Sequence, residues 1–252
     1  MSDPLAHATP RRGFLGRLAA AGAALAGAGV ASRALGAQAA AAPASPAPAP
    51  AAPPVADSPW DMSWVERVRG THRQVFDAPE LAEGTVLHQA RAWMAGFAEV
   101  YGAKDADMSA VLVIRHAAIH MVLNDALWER LEIGRTLAEA EEGRVVLKDP
   151  ATGALPRRNP FLNANVRPTD RWSMLWPDGG LDTLLRRGAI VLACNLALRR
   201  ATALVQRADK VAADEARRTV LANLLPGVVV MPSGIFAVTR AQEAGCQYIR
   251  AT

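Results

Sequence analysis

The last stretch of the chain narrows the choice of fold more than any other. Val228-Val229-Val230-Met231 is an apolar, strand-like run that Pro232-Ser233-Gly234 interrupts. Ile235 to Glu243 then has helical spacing, Gly245 stops it, and Gln247-Tyr248-Ile249-Arg250 reads as a closing strand. A hairpin would need only a tight turn between its strands, whereas a whole helix between two strands marks a parallel crossover. Parallel sheets bury both faces, so such an edge implies helices on each side.

The upstream sequence extends the same alternation. Arg73-Gln74-Val75-Phe76 is a short strand, and Thr85 to Tyr101 places Val86, Ala90, Trp93, Met94, Phe97 and Val100 at helical spacing. Ser109 to Ile114 is a continuous apolar run of the kind a central parallel strand requires, and a helix is expected from about Ala117 to Leu131. From about 134 to 180 the pattern lapses into Pro, Gly, Asn and Trp, which reads as a long insertion. Leu181 to Arg187 resumes as a helix, Ala189 to Cys194 as a strand, and Asn195 to about Leu224 as one long helix. The succession predicts an α/β domain, a flavodoxin-like, mostly parallel five-stranded sheet with helices on both faces and one long insertion.

The N-terminus carries an address. Thr9-Pro10-Arg11-Arg12-Gly13-Phe14-Leu15-Gly16 precedes a small-residue apolar run from Leu18 to Val30, and Ala37-Gln38-Ala39 offers a cleavage site. Residues 1–39 thus read as a twin-arginine signal that delivers the protein to the Tat translocase and the periplasm, with the signal either cleaved or kept as an anchor. Ala40 to Ala56 is almost wholly Ala and Pro, a linker composition that runs to about residue 59, and the folded domain spans 60–252.

The signal also accounts for much of the basic balance. The whole chain is formally +4, and Arg11, Arg12, Arg17 and Arg33 less Asp3 contribute +3 of it, leaving +1 for the remainder. A nearly neutral chain with no basic run interleaved with aromatics has no footprint for nucleic acid, and that class is set aside.

In open α/β sheets ligands bind beyond the carboxyl ends of the strands, where this sequence places Arg115, His116, Cys194, Asn195, Ser233 and Gly234. Cys194 stands where a strand hands over to a helix, and unpaired N–H groups at a helix start favour thiolate. An inert core cysteine is the competing reading. His116 is a candidate base for Cys194 if the two strands are neighbours. His116 and His120, four apart on a helix, form a weak metal-ligating pair without a third ligand, so no metal and no other cofactor is assigned. In the insertion, Trp172 and Trp176 beside Arg171 either line a pocket or pack the insertion onto the domain. His72, Asp77 and His88 have no spacing that selects a chemistry. Cys246 is the only possible internal disulfide partner of Cys194, a pairing disfavoured because the two are expected at opposite ends of the sheet.

Two segments carry a family resemblance. Gly227-Val228-Val229-Val230-Met231-Pro232-Ser233-Gly234, with Gln242, Gly245 and Tyr248 after it, is similar to the end of DsrE/DsrF-like proteins, and Gly188 to Arg200 resembles the cysteine segment of the same family. The matches cover about sixty C-terminal residues. The resemblance implies a persulfide-carrying role for Cys194, a homo-oligomer, and a sulfur donor or acceptor protein or small ligand as partner. The export signal and the insertion depart from the family pattern and keep a second class open, a non-catalytic oligomeric binding or accessory module on the same fold.

Overall fold

The computed structural model describes residues 58–140, 153–163, 165 and 178–252, all within one compact unit. The twin-arginine signal, most of the linker, and Arg171, Trp172 and Trp176 lie outside the described residues. Five strands, β1 (His72–Ala78), β2 (Met108–Ile114), β3 (Ile190–Cys194), β4 (Val229–Met231) and β5 (Gln247–Arg250), form one sheet in the order β4-β3-β2-β1-β5. Every pairing is parallel. The arrangement is α/β and flavodoxin-like in its layers, with the chain stepping from β1 to β4 in one direction and returning to place β5 beside β1.

Burial follows from the apolar pattern. All seven residues of β2 and all five of β3 are buried, as strands flanked on both edges and covered on both faces must be. Alternate side chains divide between two cores. Phe76, Leu112, Ile114, Val191 and Ala193 pack on one side, and Val75, Val111, Val113, Ile190 and Leu192 on the other. The first core contains α1 (Thr85–Tyr101) through Val86, Leu87, Ala90 and Met94. The second contains Ala237 and Ala241 of α7 (Gly234–Glu243). Trp64, on a short 3-10 turn (Ser63–Arg67), joins that second core, fully buried, with its indole N–H 3.2 Å from the Met231 sulfur. Gly102 ends α1 in the left-handed region at φ +66, where its N–H donates to the Ala98 carbonyl at 3.0 Å and the following N–H, of Ala103, to that of Phe97 at 3.3 Å.

Three expectations need correction. The helix expected from 117 to 131 is a 3-10 segment (His116–Val122) followed by α2 (Asp125–Arg130). The Asn124 side chain accepts from the Leu127 N–H and caps α2, so the helix starts there. The single helix expected from 195 to 224 is two, α5 (Asn195–Asp209) and α6 (Ala213–Ala222), broken at Lys210 with φ +56. The break lets α6 fold back, and Ala216 and Val220 are buried alongside Ala201 and Val205.

The insertion is also less structureless than its composition indicates. It opens with α3 (Ile133–Ala140) and ends at α4 (Leu181–Arg186). Between them Asn159 is fully buried, donating to the carbonyls of Met121 at 2.9 Å and Leu123 at 2.6 Å and accepting from the Phe161 N–H at 3.0 Å. Phe161 then meets Trp128 edge to face. No helix among the described residues is long and apolar enough to cross a membrane.

Candidate functional site

The carboxyl ends of the strands bring together residues that are far apart in sequence. Register sets their positions. Ala78 pairs with Ile114, Ile114 with Ala193, and Cys194 with Met231, so Arg115 and Cys194 leave adjacent strands at the same level. Neighbouring strands run about 4.8 Å apart.

Cys194 ends β3 and is the residue before the first turn of α5, whose N-terminus has no side-chain cap. The N–H groups of that turn therefore lack the usual side-chain acceptor. The residue is 6% exposed and is a free thiol packed in the first core. Asn195, next along, has a buried side-chain oxygen with no hydrogen-bond partner.

Arg115 is held on several sides. Its Nε donates to Asp77 Oδ1 at 2.6 Å and its Nη2 to Oδ2 at 2.9 Å, a bidentate pair between a half-buried arginine and a buried carboxylate. The Tyr248 hydroxyl, on β5, donates to the same Oδ2 at 3.1 Å. The stem of Arg115 crosses Gly234 at the start of α7, where an added Cβ would lie 2.5 Å from Arg115 Cδ and 2.8 Å from its Cβ. The Asp77 hydrogen bond pushes the guanidinium up from its ordinary value against the opposite pull of burial, and the nearby charges of Asp77, Tyr248 and Cys194 add to the rise. Burial and the Asp77 carboxylate push the Tyr248 phenol up in turn.

The other expected residues fall into place individually. Ser233 caps α7, its hydroxyl accepting from the Phe236 N–H at 3.1 Å. His116 follows Arg115 beyond the end of β2, the strand adjacent to that of Cys194, and with a φ of +47 it opens the 3-10 segment and is exposed while Cys194 is buried. His116 and His120 do not form the expected helical pair. A 3-10 helix has three residues per turn, so positions four apart point a third of a turn away from each other. His120 is buried with its Nδ1 unpartnered, and burial, helped by the charge of Arg200, lowers its pKa to about 4. Among the described residues no group of three or more His, Cys, Asp or Glu could hold a metal ion.

Cys246 lies just before β5, whose first residue pairs with Gln74, whereas Cys194 is level with the residue after Ala78. Six residues of strand separate the two levels, about 20 Å at 3.3 Å per residue, far beyond the Cα separation a disulfide spans. Both cysteines are free, and burial raises the Cys246 thiol to about 11 despite the charge of Arg73.

Asp77 is the site residue that the sequence reading left unassigned. Its signal was an acidic residue just after the apolar pair Val75-Phe76 of β1, and its partners lie 38 and 171 positions away. Tyr248 entered only as part of a C-terminal motif, with no role attached to its hydroxyl.

No family model matches the chain, and no curated protein does either. Among solved structures, a protein of unknown function from Methanobacterium thermoautotrophicum, MTH1491, superimposes with a TM-score of 0.32 and 19% identity over 71% of this chain and 98% of its own.

Proposed function

We propose that the domain handles sulfane sulfur through Cys194, as a periplasmic DsrE-like protein exported by its twin-arginine signal. The observation that carries this reading is the position of Cys194, at the uncapped start of α5 and level with Arg115 on the neighbouring strand. A free cysteine at the carboxyl end of a central strand supplies the thiol that such chemistry needs. The step needs no outside oxidant. The Cys194 thiolate attacks the outer sulfur of a donor persulfide R–S–SH, a new S–S bond forms as the old one breaks, and R–S⁻ leaves while the proton stays on the transferred sulfur. The product is Cys194–S–SH, ready for an acceptor thiol.

The test is a persulfide donor applied to native protein, with mass spectrometry of the cysteine peptides. One sulfur is expected on Cys194 and none on Cys246, and Cys194→Ser abolishes the addition. Native protein that takes up no sulfur until it is unfolded refutes the reading.

The low exposure of Cys194 favours a second reading, in which the same fold serves as a non-catalytic, oligomeric binding or accessory module and the cysteine is core. The same experiment separates the two.

A further inference from the structure

We propose that the cleft between Trp60 and the α5–α6 hairpin binds a small amphoteric molecule of the amino-acid type, one that carries a carboxylate and an ammonium group on an apolar body. The inference goes beyond the reading of Cys194 and does not depend on it.

The cleft has a volume of about 540 Å³, within the range of sites for small organic molecules. Helical spacing builds one of its walls. Asn195, Arg199 and Thr202 stand four and three positions apart on α5 and so share a stripe, beside the stripe of Leu198, Ala201 and Val205 that enters the first core. The first two turns of α6 supply Asp214 and Arg217. Trp60 lines the cleft from the segment before the 3-10 turn, half-buried and packed against the second core.

The polar groups of this lining are uncommitted. Opposite charges three or four apart along a helix ordinarily pair, and they do so in this protein at Glu132 and Arg135, at Asp182 and Arg186, and at Arg240 and Glu243. Asp214 and Arg217 have the same spacing, yet among the described residues neither has an ion-pair partner, and Arg199 has none either. The Asn195 side-chain oxygen has no hydrogen-bond partner, so no bond fixes that amide. The Thr202 hydroxyl donates to the Leu198 carbonyl at 3.0 Å, which leaves its oxygen to act as an acceptor.

The ligand class follows from the signs. Two guanidiniums on different helices answer a carboxylate, whose two oxygens take paired N–H donors. Asp214, with the Thr202 oxygen, answers an ammonium group, and the Trp60 indole answers an apolar body. A bare inorganic anion would meet the arginines but would be repelled by Asp214 and make no use of the indole.

The experiment is isothermal titration calorimetry of the full-length protein with L-phenylalanine, with 3-phenylpropanoate, which lacks the ammonium group, and with 2-phenylethylamine, which lacks the carboxylate. Saturable binding of phenylalanine is expected, weakened about three- to tenfold by removal of either charged group. Arg199→Gln and Arg217→Gln are each expected to weaken phenylalanine by a similar factor and to leave 2-phenylethylamine no weaker. Asp214→Asn is expected to weaken phenylalanine but to strengthen 3-phenylpropanoate, a change of sign that only an ammonium group beside Asp214 produces. Arg207→Gln, on the same helix but outside the lining, is expected to change neither. The absence of saturable phenylalanine binding overturns the proposal. So does 3-phenylpropanoate binding as tightly as phenylalanine with both strengthened by Asp214→Asn, which makes the cleft a plain anion site. Equal weakening by Arg207→Gln overturns it as well, since the effect then belongs to the general charge of the hairpin.

Discussion

Replacing Asn159 by Ala tests whether the insertion is part of the domain's framework. The side chain is fully buried and makes three hydrogen bonds, two to the carbonyls of Met121 and Leu123 and one from the Phe161 N–H. These carbonyls lie on either side of Val122, whose carbonyl accepts from the Leu225 N–H, and Leu123 bridges to Leu224, so the amide stitches the insertion to the end of the 3-10 segment where the chain after α6 is bonded. Each buried group left without a partner costs about 1–3 kcal/mol, and with the three groups taken at the low end a loss of about 3 kcal/mol is expected. A domain of ordinary stability, about 5–15 kcal/mol, survives that loss and stays measurable. Urea unfolding followed by tryptophan emission is the assay, since Trp128 stacks edge to face on Phe161 at 6.3 Å and senses the region. The midpoint should fall with the slope unchanged. A loss below about 1 kcal/mol would mean that the two carbonyls find other partners and that the insertion is an appendage.

Two further outcomes test other parts of the account. His120 is held at about 4 in the folded protein against an ordinary value of 6.5, so the folded state binds fewer protons than the unfolded one. Its stability contribution is whole above the unfolded value and is lost as pH falls through the window from about 6.5 to 4, about 2 kcal/mol of it between pH 7 and 5. His120→Phe should lose correspondingly less stability over that interval in urea titrations, and parallel losses in the two proteins would contradict the assignment. For export, Arg11→Lys with Arg12→Lys should leave the precursor in the cytoplasm, because the twin arginines are read by a receptor. Periplasmic accumulation of the double variant at the normal level shows the signal to be something else.

Local pattern and long-range pairing contributed differently to this protein. The unbroken apolar runs of β2 and β3 and the helical spacing of α1 were legible because burial on both faces, or on one stripe, is written directly into the order of apolar residues. The Pro-Ser-Gly turn into α7 was legible for the same kind of reason, since a serine cap is a property of neighbouring residues. Where the sequence misled, the deciding contact was distant. The turn at Lys210 exists because α6 buries Ala216 and Val220 against the core, and the 3-10 segment of His116–Val122 lies over strands whose neighbours the sequence does not name. The partners of Asp77 could not be read from the chain at all. They depend on β1 standing between β2 and β5, and that order is set by which crossover packs on which face, a sum of many apolar contacts. A sequence states which side chains must be buried and where the chain must turn; only the closed sheet decides that a carboxylate on its first strand meets an arginine after its second and a tyrosine on its last.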